Sequence, residues 1–285
     1  MRRPWLFFLL LLVGCIDRYT PDVPAAAQQS LVVDGYINGQ GSTIIKLSRT
    51  YSVSTANNTP PAEAKATVYI QDDAGQRYPL TEAPAGTYTS AVQTLSPARQ
   101  YQLRLTTANG RAYASDLTPL KVAPPVDKLS WRSNTDQGIT VYVDSHDATG
   151  TSRYYRWDYE ETWKFTTAFW SVADFVPRPA PKQDTVVFSQ IDKYHCWQSS
   201  LSTAIRQTTT TTLSADVVSA FPLVVVPPFE KLRYGYSVLA RQYAQTQAEY
   251  DYWELLRKNT ENLGTVNDPL PARLAGNIHC LSDAS

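Results

Sequence analysis

Three acidic side chains stand close together at Asp158, Glu160 and Glu161, and glycoside hydrolysis uses such carboxylates in pairs about 5 to 10 Å apart across a cleft. All three lie in the stretch Tyr154 to Phe165. Its odd positions are Tyr155, Trp157, Tyr159, Glu161, Trp163 and Phe165, and its even positions are Tyr154, Arg156, Asp158, Glu160, Thr162 and Lys164. Alternation with period two over this length predicts one extended, half-buried strand. Neighbours on a strand face opposite ways, so Glu160 and Glu161 do not make the catalytic pair. An aromatic face of this kind suits a sugar or a peptide, but burial in a sandwich core explains most such stripes. Glu161 stands out within that face, because a carboxylate among aromatics needs a partner or a way to water. It is therefore a candidate ligand or partner contact.

Two further groups of residues have the chemistry of metal or redox sites. His195-Cys196 and His279-Cys280 supply two histidines and two cysteines, formally enough for zinc. Zinc sites usually take chelating pairs spaced like C-x₂₋₄-C or H-x₃₋₅-H, and adjacent strand residues point apart. In an oxidising compartment a pair of cysteines reads first as a disulfide, so Cys196 and Cys280 are expected to be joined. The loop Asp144 to Gly150 carries carboxylates at cation-like spacing, but Asp, Thr and Gly are also what a tight turn requires, and a turn is expected. No H-E-x-x-H, G-x-S-x-G or phosphate-cradling glycine loop occurs. Catalytic residues, a metal site and a cofactor are accordingly not expected, and the protein is read as a non-enzyme.

The third cysteine belongs to a different chemistry. Arg2 and Arg3 form a basic n-region, Trp5 to Val13 an apolar h-region, and Leu12-Val13-Gly14-Cys15 resembles the cleavage site of bacterial lipoprotein precursors. The apolar run is too short to span a bilayer, which takes about 20 residues. In such precursors the thiol takes a diacylglycerol and the chain is cut before the cysteine. Residues 1–14 are then a signal peptide and Cys15 the lipidated first residue of the mature protein. Asp17 stands two places after Cys15 rather than directly behind it, which points to the outer membrane.

The elements that must position these residues are mostly strands. Residues 15–29, with two prolines and no periodicity, read as a tether. From Leu31 to Leu120 short alternating runs, among them Val68/Ile70 and Tyr101/Leu103/Leu105, are punctuated by turns at Asp73-Ala74-Gly75 and Asn109-Gly110. Pro124-Pro125 breaks the pattern and marks a boundary. Ile139/Val141/Val143, Thr208 to Thr212, Phe221 to Val226 and Leu232 to Tyr243 continue it beyond, and the proline-rich stretch Phe175 to Lys182 reads as a loop. One helix is predicted near 247–262: Thr246-Gln247-Ala248-Glu249 matches a capping box, Tyr252, Leu255 and Leu256 are expected inward, and Gly264 ends it. The fold class is mainly β, with two antiparallel, immunoglobulin-like β-sandwich domains at 30–122 and 126–285 and one α-helix in the second. The balance of 26 basic and 26 acidic side chains argues against a nucleic-acid partner.

The order of Leu31-Val32-Val33-Asp34-Gly35, Tyr142-Val143-Asp144, Arg153-Tyr154-Tyr155-Arg156-Trp157, Cys196-Trp197, Tyr252-Trp253-Glu254-Leu255-Leu256 and Gly276-Asn277-Ile278-His279-Cys280 resembles the lipoprotein family filed as domain of unknown function 4249. The resemblance implies an envelope lipoprotein of the Bacteroidota type, often encoded beside a TonB-dependent outer-membrane receptor, with no enzymatic residues to carry over. Similar chains usually run on past the cysteine segment into a further apolar strand. The sequence here stops at Ser285, and if a closing strand is missing an unpaired sheet edge is expected there.

The function expected is a non-catalytic binding or accessory subunit, anchored to the outer membrane by lipid and associated with such a receptor in nutrient uptake. A structural or adhesive envelope protein is the alternative, and a glycan- or peptide-processing enzyme ranks below it. Trp170, in an irregular stretch beside the prolines, is the tryptophan expected to be exposed for partner contact. Mass spectrometry of the mature protein should find an acylated Cys15 at its N-terminus, and Cys15→Ala should release the protein from membranes into the soluble fraction.

Overall fold

A computed structural model of the chain describes residues 29–51, 59–134, 138–179, 181–189, 191–261 and 272–282. Cys15, nearly all of the expected tether and Gly264 lie outside the described residues. The described protein is mainly β, with several sheets and one helix towards the C-terminal end.

The first half contributes β1 (Leu31–Tyr36), β2 (Gln40–Gly41), β3 (Ile44–Arg49), β4 (Thr67–Asp72), β5 (Arg77–Glu82), β6 (Thr87–Ser90), β7 (Gln93–Thr94), β8 (Gln100–Thr106), β9 (Ala112–Ser115) and β10 (Thr118–Pro119). All but β2 and β7, which pair with each other, lie on one antiparallel hydrogen-bonded path, β1-β3-β6-β5-β4-β8-β9, with β10 on β8. The expected alternation places Val68, Ile70, Tyr101, Leu103 and Leu105 in a core with Ile45, Leu47 and Tyr88. The Asn109-Gly110 signal makes the β8–β9 turn: Gly110 adopts a φ of 84°, and the Thr107 hydroxyl donates to Asn109 Oδ1 at 2.6 Å.

The second half supplies β11 (Val126–Asn134), β12 (Gly138–His146), β13 (Tyr154–Thr166), β14 (Ala173–Val176), β15 (Thr185–Phe188), β16 (His195–Leu201), β17 (Arg206–Thr209), β18 (Val217–Val226), β19 (Tyr236–Ala244), α1 (Gln247–Glu261) and β20 (Ile278–Cys280). One sheet runs β11-β12-β18, and a second is built on β13, with β16 and β17 along one edge and β19 along the other. The sheets meet through the odd positions of β13. Trp157, with none of its surface exposed, stacks between Tyr155 and Phe221, at ring distances of 5.9 and 4.7 Å. Val141, Val143, Leu223 and Val226 complete that core. β20 returns to the first half and pairs with β9, Ile278 lying opposite Ser115.

The proline-rich connection between the halves is held at both sides. The Ser152 hydroxyl donates to the Val122 carbonyl at 3.1 Å, the Ser145 hydroxyl to that of Pro125 at 3.1 Å, and the Gln242 amide to that of Pro124 at 2.8 Å. Tyr36 of β1 meets Tyr243 of β19 edge to face at 5.2 Å.

Three expectations change. Cys196 and Cys280 are not joined by a disulfide. Strand pairing explains this: Cys196 sits opposite Phe165 in the β13–β16 ladder, whereas Cys280 sits opposite Tyr113 in the sheet of the first half, and a disulfide needs its Cα atoms within about 7 Å. The helix forms with the capping box intact, the Thr246 amide donating to Glu249 Oε2 at 2.7 Å and the Glu249 amide to Thr246 Oγ1 at 3.2 Å. The side that contacts β13 is nevertheless that of Tyr250 and Trp253, and Tyr252 is exposed; Leu255 and Leu256 are half-buried, as Tyr250 and Trp253 are. The surface that it meets is the reason, because the even positions of β13 present Tyr154 and Arg156: Tyr250 packs on Tyr154 at 5.2 Å, and the Arg156 guanidinium lies 4.4 Å from the Trp253 ring. Lastly, Phe175 to Lys182 is only partly loop, since Phe175 and Val176 belong to the β14–β15 hairpin.

Trp157→Ala is expected to cost about 3 to 5 kcal/mol of unfolding free energy, the range for deleting a buried aromatic. Thr246→Ala should cost about 1 kcal/mol, the value of one N-cap. Urea denaturation of the two variants beside wild type measures both.

Candidate functional site

The β13 strand separates the candidate acids by face, as its alternation predicts. Glu161 points inward and is 7% exposed. Its carboxylate accepts from Lys231 Nζ at 2.7 Å and from the Tyr236 hydroxyl at 2.9 Å, so both oxygens are engaged. The same ammonium lies 4.7 Å from the Trp163 ring centre. Burial, reinforced by the bond to Glu161, pushes the Tyr236 phenol far above its usual range, and the group stays a donor. On the outer face Glu160 pairs with Arg241 at 3.0 Å and Asp158 with Arg156 at 2.6 Å. Each acid is thus committed to a cation on its own side of the strand.

The Asp144 to Gly150 loop is held as a turn. Asp147 accepts from the amides of Thr149, Thr151 and Ser152 and from the hydroxyls of Thr149 and Thr151, at 2.6 to 3.1 Å. Burial works to raise its pKa, but the Thr149 and Ser152 bonds outweigh it and hold the carboxyl well below the usual range. Asp144 accepts the Ala220 amide at 2.7 Å. Among the described residues no group of three or more His, Cys, Asp or Glu side chains is placed to hold a metal ion. His195 and His279, the other halves of the formal zinc set, instead face Asp192 at 2.7 Å and Asp116 at 3.0 Å.

Two surfaces remain that are open to something else. The first is a cleft of about 460 Å³ between the facing sheets, walled by Leu129, Trp131 and Ile139 on one side and Leu232, Tyr236 and Val238 on the other. Tyr236 links its wall to Glu161 and Lys231. Sequence reasoning missed this site because its walls come from three separate strands and a loop, whose pairing no local pattern encodes.

The second is the hairpin β14–β15 with its flanks. Trp170 is 73% exposed, as expected, but it does not stand alone, since Trp131 and Trp197 are exposed to 67% and 64%. Phe175 and Val186 face each other across the hairpin and share one face with Phe188. Phe188 is 87% exposed, and Phe169, Phe175, Val186, Ile191 and Trp197 are exposed with it. The ion pair of Lys193 with Asp174 cancels charge at its base. Exposed apolar side chains gathered in this way have the chemistry of surfaces that protein contacts use.

The family profile described as Domain of unknown function (DUF4249) matches residues 16–285. No curated protein matches the chain.

Lys231→Met should strand the Glu161 charge in the core and cost towards the lower end of about 3–5 kcal/mol, since Lys231 itself keeps some contact with water. The double variant Lys231→Met/Glu161→Gln should recover most of that loss. Denaturation midpoints of the single and double variants decide it.

Proposed function

The chain belongs to the DUF4249 family, and we propose that within it this protein is a lipid-anchored subunit of the outer membrane. On this reading Cys15 carries the lipid and residues 15–29 form the tether. The folded part, with 30–122 and 126–285 as two immunoglobulin-like sandwich domains, binds without catalysing. Its partner is an integral outer-membrane receptor of the TonB-dependent kind, and its role is that of an accessory protein in nutrient uptake.

The observation that carries the reading is the β14–β15 hairpin, which exposes Phe175 and Phe188 on one face, with Trp170 exposed in the segment that leads into it. Aromatic side chains of this kind supply most of the binding energy at protein interfaces. A lipid anchor confines the protein to the membrane plane and raises its effective concentration beside membrane partners, so that a modest apolar patch suffices. The ion-paired states of Asp158, Glu160 and Glu161 favour binding over acid–base chemistry.

Detergent-solubilised native membranes should yield an integral outer-membrane protein with the wild type. Trp170→Ala and Phe188→Ser should each reduce that recovery at unchanged thermal stability. Wild type that brings down no integral outer-membrane protein overturns the reading in favour of a structural or adhesive role. Variants that perform equally well move the contact surface elsewhere.

A further inference from the structure

The β14–β15 hairpin has one side whose backbone groups are unused. Hydrogen bonds in an antiparallel pair join every second pair of opposed residues, and the N–H and C=O groups of the residues between them point outward. The Ser189 amide donates to the Val172 carbonyl at 2.8 Å, so in the same register Val187 bonds with Asp174 and Thr185 with Val176. The N–H and C=O groups of Val186 and Phe188 therefore point away from β14. Among the described residues no backbone group pairs with that side of β15. A two-stranded ribbon is marginal in water and gains stability from a third strand.

The side chains agree with the backbone. All four residues of β15, Thr185-Val186-Val187-Phe188, favour strands and none is charged. Val186, Val187 and Phe188 are exposed, whereas Ala173, Asp174 and Val176 of β14 are half-buried, so β15 is the open side. Edge strands are normally guarded against other chains by charge or proline. Longer edges bear such devices, among them Asp34 in β1, Lys128 and Arg132 in β11, Pro222 in β18 and Arg241 in β19; β15 bears none. We propose that β15 takes up an extended segment of the outer-membrane partner as a third strand. The main chain of that segment pairs with Val186 and Phe188, and its alternate side chains are apolar and pack beside Phe188 and Phe175. The ion pair of Lys193 with Asp174 leaves no net charge at the base of the hairpin to favour a charged segment. Strand addition rests on the receptor partnership proposed above and supplies its mode of contact.

Residue-resolved hydrogen exchange on the wild-type complex, purified from detergent-solubilised native membranes, tests this without recourse to any variant. The Val186 and Phe188 amides should be protected in the complex and unprotected in the free protein, while the Val187 amide is protected in both. Val186→Pro removes only an outward N–H, a position at which an edge strand tolerates proline, and keeps an apolar side chain. It should leave thermal stability unchanged and weaken rebinding of the purified receptor about 3- to 10-fold, the loss of one hydrogen bond. Val186 and Phe188 amides that exchange alike in both states, or Val186→Pro that binds as wild type does, overturn strand addition. If Phe188→Ser binds weakly in that case, the receptor contact on the hairpin still stands. Wild type that brings down no integral outer-membrane protein overturns the receptor reading, and strand addition with it.

Discussion

One side-chain amide ties the separate parts of the second half together. The Trp157 indole N–H, wholly buried, donates to Gln242 Oε1 at 2.8 Å. The two protons of the Gln242 amide go to the Pro124 carbonyl and to Ser145 Oγ, both at 2.8 Å, and Ser145 passes its own proton to the Pro125 carbonyl. The central aromatic of the core, strands β12 and β19 and the connection between the halves thus share one network. Prolines have carbonyls but no N–H to offer. A connection that contains Pro124-Pro125 can therefore be held only by donors, which the amide end of glutamine supplies. A glutamate there would lose both donors and bury a charge.

The formal neutrality of the chain is realised locally rather than on average. Glu161 with Lys231, Glu160 with Arg241, Asp158 with Arg156 and Asp174 with Lys193 are each closed pairs. At these positions charge is matched pair by pair at short range. Tryptophan serves two environments in one sheet system. Trp157 and Trp163 fill the space between sheets, while Trp170 and Trp197 face water.

What could be read from the sequence was whatever depends on local periodicity. The alternation of Tyr154 to Phe165 gave the strand, its buried face and the isolation of Glu161, and Thr246/Glu249 gave the helix start, because these signals need only neighbouring residues. The side of the helix that docks was not legible: Tyr252, Leu255 and Leu256 form the more apolar stripe, but the surface they would have to meet carries Arg156 and Tyr154. The cysteine pairing failed for a related reason. Two cysteines define a parity, and only the strand partners, Phe165 for Cys196 and Tyr113 for Cys280, set where each one lies. The β14–β15 hairpin was hidden because its four-residue strands flank prolines 177, 179 and 181, which dominate any local reading of that stretch.

The pairing of β20 with β9 has a temporal side. A chain made from its N-terminal end presents the β9 edge, Ala112 to Ser115, long before Ile278 to Cys280 emerge to cover it. The first sheet can collapse around Ile70 and Leu105 during that interval, yet its outer row of amides and carbonyls stays open until β20 has been made. Contacts so distant along the chain close slowly, and an open strand edge recruits other chains. The pairing of β20 with β9 is therefore the step that removes this edge from the reach of other chains.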